Sequence, residues 1–144
     1  MRNRLASRAL VGTVAVALAL LLTACYGSGQ QSVANEMNAD RRSKGRSTLP
    51  MHATLNAKAQ AWAEKMARDN ALSHSSLSAG APSCWRSLGE NVGYGSSVSR
   101  IQDAYMASSG HRANILNTKW NWVGTGYATR GSRVFTVQVF MMGC

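Results

Sequence analysis

At 144 residues, with 45% hydrophobic and 15% charged side chains, the chain can build one modest core but not several domains. Sixteen Lys and Arg stand against six Asp and Glu, a net charge of +10. Apart from Arg41, Arg42, Lys44 and Arg46 the basic residues are scattered. That argues against a nucleic-acid footprint, and for attraction to anionic lipid headgroups or cell-wall polymers or a merely solvated basic face.

The chain opens on Arg2, Arg4 and Arg8, followed by a 14-residue apolar run from Ala9 to Leu22. A membrane-crossing helix needs roughly 20 such residues, so this run reads as the core of an export signal. Leu22-Thr23-Ala24-Cys25 closes it in the bacterial lipoprotein pattern of Leu, small, small, Cys. Residues 1–24 are therefore expected to be a signal peptide, with Cys25 the new N-terminus and the acceptor of diacylglycerol. Residues 25–31 follow as lipidated start and polar tether, and residues 32–144 as one domain on the extracytoplasmic face of the cell membrane. Losing three of the 16 basic residues leaves 13 against six acids, a net +7 for the mature chain.

Three cysteines are an odd number for an exported chain. Lipidation uses Cys25 and leaves Cys84 and Cys144, which outside the cytoplasm pair as a disulfide; two buried thiols are the alternative.

In the domain, Val33 and Met37 lie four apart in a helix over 32–44 that Gly45 ends. Leu55, Ala59, Trp62, Ala63, Met66 and Ala67 make an apolar stripe on a long helix over 53–70. Residues 75–84 read as a polar loop. Ser99 opens a third helix through Ser-x-x-Gln to Gln102, with Ile101 and Tyr105 facing inward. A short helical turn follows over 111–116. The period then becomes two: a strand over 123–128, a turn at Arg130-Gly131-Ser132, and a long strand over 134–142. Both faces of that last strand are apolar, so it is expected at the centre of the sheet. Helices flanking an antiparallel sheet make an α+β sandwich.

Three clusters can carry chemistry: Ser73-His74-Ser75, the run Gly89-Glu90-Asn91-Val92-Gly93-Tyr94-Gly95, and Ser109-Gly110-His111-Arg112-Ala113-Asn114-Ile115-Leu116-Asn117. Two His and a Glu on loops can converge as a metal site. Neither His-Glu-x-x-His nor Gly-x-Ser-x-Gly occurs, and a lone His beside a helix end is more often a cap or core hydrogen-bonder.

Those clusters, followed by Val123-Gly124-Thr125-Gly126-Tyr127 and Thr136-Val137-Gln138-Val139-Phe140, resemble the bacterial branch of the CAP superfamily over residues 32–144. The superfamily comprises cysteine-rich secretory proteins, antigen 5 and pathogenesis-related proteins of group one, and its domain is also called SCP. The resemblance implies a three-layer α-β-α sandwich with a central antiparallel sheet. It also implies a cleft of two His and two acids that holds divalent metal in some members. His74, Glu90 and His111 match the cleft, and His74 and His111 are the expected ligands of Zn²⁺. The fourth acid does not carry over. Bacterial relatives often have Glu where Trp122 stands, and Asp103 is the one acid on the preceding helix. With no nucleophile–base pair in view, no catalytic residue is assigned. The expected function is a binding module for lipid, sterol or cell-envelope ligands. The alternatives are a zinc hydrolase with Glu90 as general base, and a structural surface lipoprotein with a vestigial cleft.

Overall fold

A computed structural model describes residues 25–144; the expected signal peptide over 1–24 lies outside the described residues. The elements run α1 (Ser28–Ser43), α2 (Ala53–Asp69), β1 (Trp85–Gly95), α3 (Val98–Ala107), α4 (Ser109–Leu116), β2 (Trp122–Arg130) and β3 (Arg133–Gly143). The strands form one antiparallel sheet in the order β1-β3-β2. The last strand is central, as its two apolar faces predict.

Each face of β3 builds one half of the core. Phe135, Val137, Val139 and Met141 pack under α2 with Leu55, Ala59, Ala63 and Met66. Phe140 and Val134 face the other way, where Met37, Ile101, Tyr105 and Ile115 arrive from α1, α3 and α4. The result is the expected α-β-α sandwich. Each fully buried Leu or Phe in it contributes about 1.5–3 kcal/mol relative to exposure.

The tightest joint is between α2 and β2. A Cβ at Gly124 would strike the backbone of Leu55, and one at Gly126 that of Ala59. Glycine lets helix and strand meet backbone to backbone there. That closeness also seals the outer edge of β2. The Thr125 N–H donates to Asn56 Oδ1 at 2.7 Å and the Tyr127 N–H to Gln60 Oε1 at 3.0 Å. Gln60 Nε2 and Gln30 Nε2 donate back to the Tyr127 and Thr125 carbonyls. Val123 pairs with Pro50 and His52 backbone. An edge so occupied offers no template for another strand.

Three boundaries differ from the sequence reading. The polar tether is shorter, because α1 starts at Ser28 and Gln30 is already docked on β2. The cap of α3 is Ser97, whose hydroxyl accepts from the Arg100 N–H at 3.2 Å, and not Ser99. The glycine-flanked run around Glu90 is a strand, not a loop. Its glycines make room for neighbours: a Cβ at Gly93 would meet Ile101 and Tyr105. Cys84 and Cys144 form the expected disulfide with Cα atoms 5.2 Å apart, closing the sheet's open end across a loop of 60 residues.

Gly124→Ala is expected to destabilise by about 3 kcal/mol or more, because α2 must lift off the sheet. Gly110→Ala, where an added Cβ meets nothing within 4 Å, should be neutral or stabilising by up to about 1 kcal/mol. Thermal melting of the two variants checks this, and equal melting temperatures would refute the close-approach account.

Candidate functional site

The site forms at the sheet's other edge, along β1. Helix α2 ends at Asn70 in the left-handed region (φ 52°), and the Ala71 N–H closes the cap on the Met66 carbonyl at 3.1 Å. The chain then folds back toward β1. Trp62 Nε1 donates to the Ser73 carbonyl at 2.8 Å. Lys58 Nζ donates to Ser75 Oγ at 3.2 Å and to the Ser76 and Ala79 carbonyls at 2.8 Å each. All three protons of that ammonium are therefore occupied in holding the loop. Burial lowers the Lys58 pKa, and the Glu90 charge pulls it back up.

What the loop delivers meets Glu90, whose side chain is only 1% exposed. Oε1 accepts from the Ser75 N–H at 2.9 Å and faces His74 Nδ1 at 2.7 Å. Oε2 accepts from Ser75 Oγ at 2.5 Å. A carboxylate only accepts, so the proton of the His74 contact sits on Nδ1 and the ring's Nε2 is left free. The His74 side chain is 62% exposed, so that free nitrogen stands at the surface on a ring held from behind.

His111 comes from α4, on the opposite face of the sheet. Its carbonyl accepts from Asn91 Nδ2 at 3.2 Å and its ring lies 5.1 Å from that of Tyr105. Burial lowers the His111 pKa, and the nearby His74 lowers it further, so both effects keep the imidazole neutral. Burial likewise pushes the Tyr105 phenol well above its ordinary range, and its hydroxyl meets Thr136 Oγ1 at 3.0 Å.

A chain of amides behind β1 braces these groups. Asn114 Nδ2 donates to the Glu90 carbonyl at 3.3 Å and to Asn91 Oδ1 at 3.0 Å. Asn91 Nδ2 donates to Gln138 Oε1, Gln138 Nε2 to Gln102 Oε1, and Gln102 Nε2 to Asp40 Oδ2. The sequence reading places Ser75, Asn91 and Asn114 in its clusters without giving them a role, and passes over Lys58. Gln138, a fully buried amide in a mostly apolar strand, is the visible signal for this network.

Two positions bear on the fourth acid that does not carry over from the family pattern. Asp103 is exposed on α3. Trp122 stands on β2, which β3 separates from β1 by two strand spacings, about 10 Å. It packs instead with the α2 side of the core, edge-on to His52 with ring centroids 5.3 Å apart. The general-base role considered for Glu90 also meets an obstacle, since both its oxygens already hold protons of the protein's own groups. As for metal, imidazoles are suitable donor groups, and the one of His74 is backed by a carboxylate. Among the described residues no group of three His, Cys, Asp or Glu is placed to hold an ion.

A three-layer sandwich with a histidine–carboxylate cleft at one sheet edge is thus the class of protein. The chain belongs to the CAP family, the cysteine-rich secretory proteins, whose sequence profile matches residues 34–141. It is 31% identical over 112 residues to "Uncharacterized protein YkwD" of Bacillus subtilis (strain 168), covering 72% of this chain. It spans only 44% of that relative's length. Among solved structures it is similar to an outer surface protein from Borrelia burgdorferi, with TM-score 0.71 and 16% identity over 79% of this chain and 92% of that one. It is also similar to an extracellular protein containing a SCP domain from Bacillus anthracis, with TM-score 0.67 and 24% identity over 78% of this chain and 40% of that one. At such identities the two structures establish the fold.

Because His111 is held below its ordinary pKa in the folded state, the unfolded chain takes up this proton first as pH falls. Its contribution to stability is complete above about pH 6.5 and is lost progressively below it. His111→Gln, which cannot titrate, should show a flatter decline in stability between about pH 6.5 and pH 5. Denaturant melts across that window measure it, and an unchanged slope would contradict the assignment.

Proposed function

We propose that the protein is a lipid-anchored, extracytoplasmic binding module whose cleft orients and holds a ligand without catalysing a reaction. The observation that carries this reading is the state of Glu90. Both carboxylate oxygens are occupied by His74 and Ser75, and the Ser75 hydroxyl donates to Glu90 while accepting from Lys58. A hydrolase using Glu90 as its general base would need one of those oxygens free. Glu90, Ser75 and Lys58 serve each other instead.

The groove beside the cleft supports an amphiphilic ligand. It runs between α2 and the loop over 75–80, with a volume of about 540 Å³. Ala57, Ala61 and Trp62 form its floor, and Lys58, Lys65 and Arg68 bring cations to it. An apolar floor with cations suits a lipid or an acidic envelope component with a hydrophobic portion. His74 and His111 would be the residues to hold a divalent metal such as Zn²⁺, which would give the cleft a Lewis-acidic point for an anionic headgroup. Glu90 would then act behind His74, fixing the ring rather than touching the ion.

Placement outside the cytoplasm is supported by the Cys84–Cys144 disulfide and by the similar proteins of Borrelia and Bacillus anthracis, which are outer-surface and extracellular. Cys25 is exposed and unpaired, three positions ahead of α1, which leaves room for a lipid on it. No helix of the described residues is long and apolar enough to cross a membrane.

Native mass spectrometry of the protein extracted from its own membranes, with and without chelator, tests the whole reading. The expected species begins at Cys25 with acyl-glycerol mass attached and carries a non-covalent amphiphile. An unlipidated chain would remove the anchor. A bare chain that turns over a peptide or ester library would replace the binding module with an enzyme.

A further inference from the structure

The positive charge of the mature chain is largely unanswered within the protein itself. Among the described residues the ion pairs are Lys65–Asp69 and His74–Glu90. The densest group of cations lies where α1 ends. There the chain makes a tight left-handed stop: Gly45 has φ +66°, its N–H donates to the Arg42 carbonyl at 3.0 Å, and the Arg46 N–H donates to the Arg41 carbonyl at 2.8 Å. This double closure fixes the backbone that carries the cluster.

The four basic residues then separate into two roles. Arg41 is 2% exposed and is a structural rivet, donating from Nε to the Ser47 carbonyl and from a terminal nitrogen to the carbonyls of Ile115 and Asn117. Arg42, Lys44 and Arg46 are exposed, and no carboxylate lies within ion-pair reach of them among the described residues. Beside them runs a polar groove of about 200 Å³, to which Arg46, Ser47, Thr48, Thr118 and Trp120 contribute and in whose lining there is no acid. Arg42 complements the negative end of the helix dipole, which accounts for one cation at this end. It does not account for Lys44 and Arg46, which lie beyond the helix.

We propose that Arg42, Lys44 and Arg46 form a docking surface for the anionic phospholipid headgroups of the membrane. The inference rests on the extracytoplasmic, Cys25-anchored reading given above. Charge complementarity selects the partner's sign. The chain's start selects a membrane over a soluble polymer. Only Tyr26 and Gly27 separate Cys25 from α1, a reach of about 10 Å, so an anchored domain cannot leave the bilayer surface. Helix α1, with 16 residues, is about 24 Å long. Standing upright it would hold the cluster beyond the roughly 8 Å range of screened charge; lying along the surface it brings the cluster into contact. Each cation near an anionic surface is worth roughly a fivefold preference, so three give about a hundredfold. That is weak for a free protein and ample for orienting a tethered one.

The test uses the unlipidated chain of residues 26–144, which contains the sheet, both core clusters and the disulfide and so folds without its anchor. Vesicles of phosphatidylcholine with phosphatidylglycerol are compared with vesicles of phosphatidylcholine alone by co-sedimentation. Binding is expected to the first and not the second, and to fall away in high salt. The triple variant Arg42→Gln, Lys44→Gln, Arg46→Gln should lose at least about tenfold in binding. Arg86→Gln, Arg100→Gln, Arg112→Gln removes equal charge elsewhere and should lose little. Equal losses in the two variants would overturn the proposal in favour of net charge alone. Binding to soluble polyglycerophosphate without binding to vesicles would overturn it in favour of a wall polymer. Because no lipid is attached in this assay, neither outcome bears on whether Cys25 is acylated.

Discussion

The backbone contact of α2 on β2 at Gly124 and Gly126 is the joint from which the other arrangements follow. With side chains at those positions the helix would stand off, and its amides would not reach the strand. At contact, Asn56 and Gln60 are about 6 Å apart along the helix, and Thr125 and Tyr127 about 6.6 Å apart along the strand. The two repeats match, so two side-chain amides serve the edge groups of β2, with Gln30 reinforcing from α1. One edge of the sheet is closed in this way. The far end of the same helix stays beside β2, where Arg130 donates to the Ala67 and Arg68 carbonyls, and the chain after Asn70 crosses to the other edge to fold over Glu90.

Burying a carboxylate is unfavourable unless its lone pairs are filled and a cation is near. Glu90 meets both conditions through Ser75, His74 and the field of Lys58. Hydrogen bonds to an ionised acceptor are about twice as strong as neutral ones, so this cluster fixes its parts firmly. The beneficiary is His74. Its ring is exposed, yet one nitrogen is fastened, which presents the other in a defined direction. On the opposite face of the sheet, the amide chain from Asn114 to Asp40 steadies β1 and the carbonyl of His111. These features describe a preorganised holding site.

Much of this is legible in the residues alone, and the gaps have physical causes. The stripe on α2 and the double apolar face of β3 announce themselves because burial repeats with the element's own period. The strand around Glu90 does not, because Gly89, Gly93 and Gly95 dilute its β signal while admitting Ile101, Tyr105 and Trp120 against it. The first turn of α1 reads as tether because Ser28, Gly29 and Gln30 are polar or small. Here they are small and polar in order to meet Tyr127 and the edge of β2. His74, Glu90 and His111 are recognisable from their motifs. Their division of labour is not, since it depends on Lys58 and Ser75, 17 residues apart and joined only by the fold. The position of Trp122 is a similar case. Its strand is readable, but only the order β1-β3-β2 shows that an acid there would lie far from Glu90.

The central claim is that Glu90 orients His74 and does not act as a base. Nitrogen-resolved NMR of the histidine rings at about pH 7.5 tests it directly, since each ring nitrogen reports whether it carries the proton. The account predicts that His74 is the Nδ1–H tautomer with a bare Nε2, and that Glu90→Gln weakens this preference while the sheet stays folded. A wild-type His74 protonated on Nε2, with Nδ1 bare toward Glu90, would contradict it.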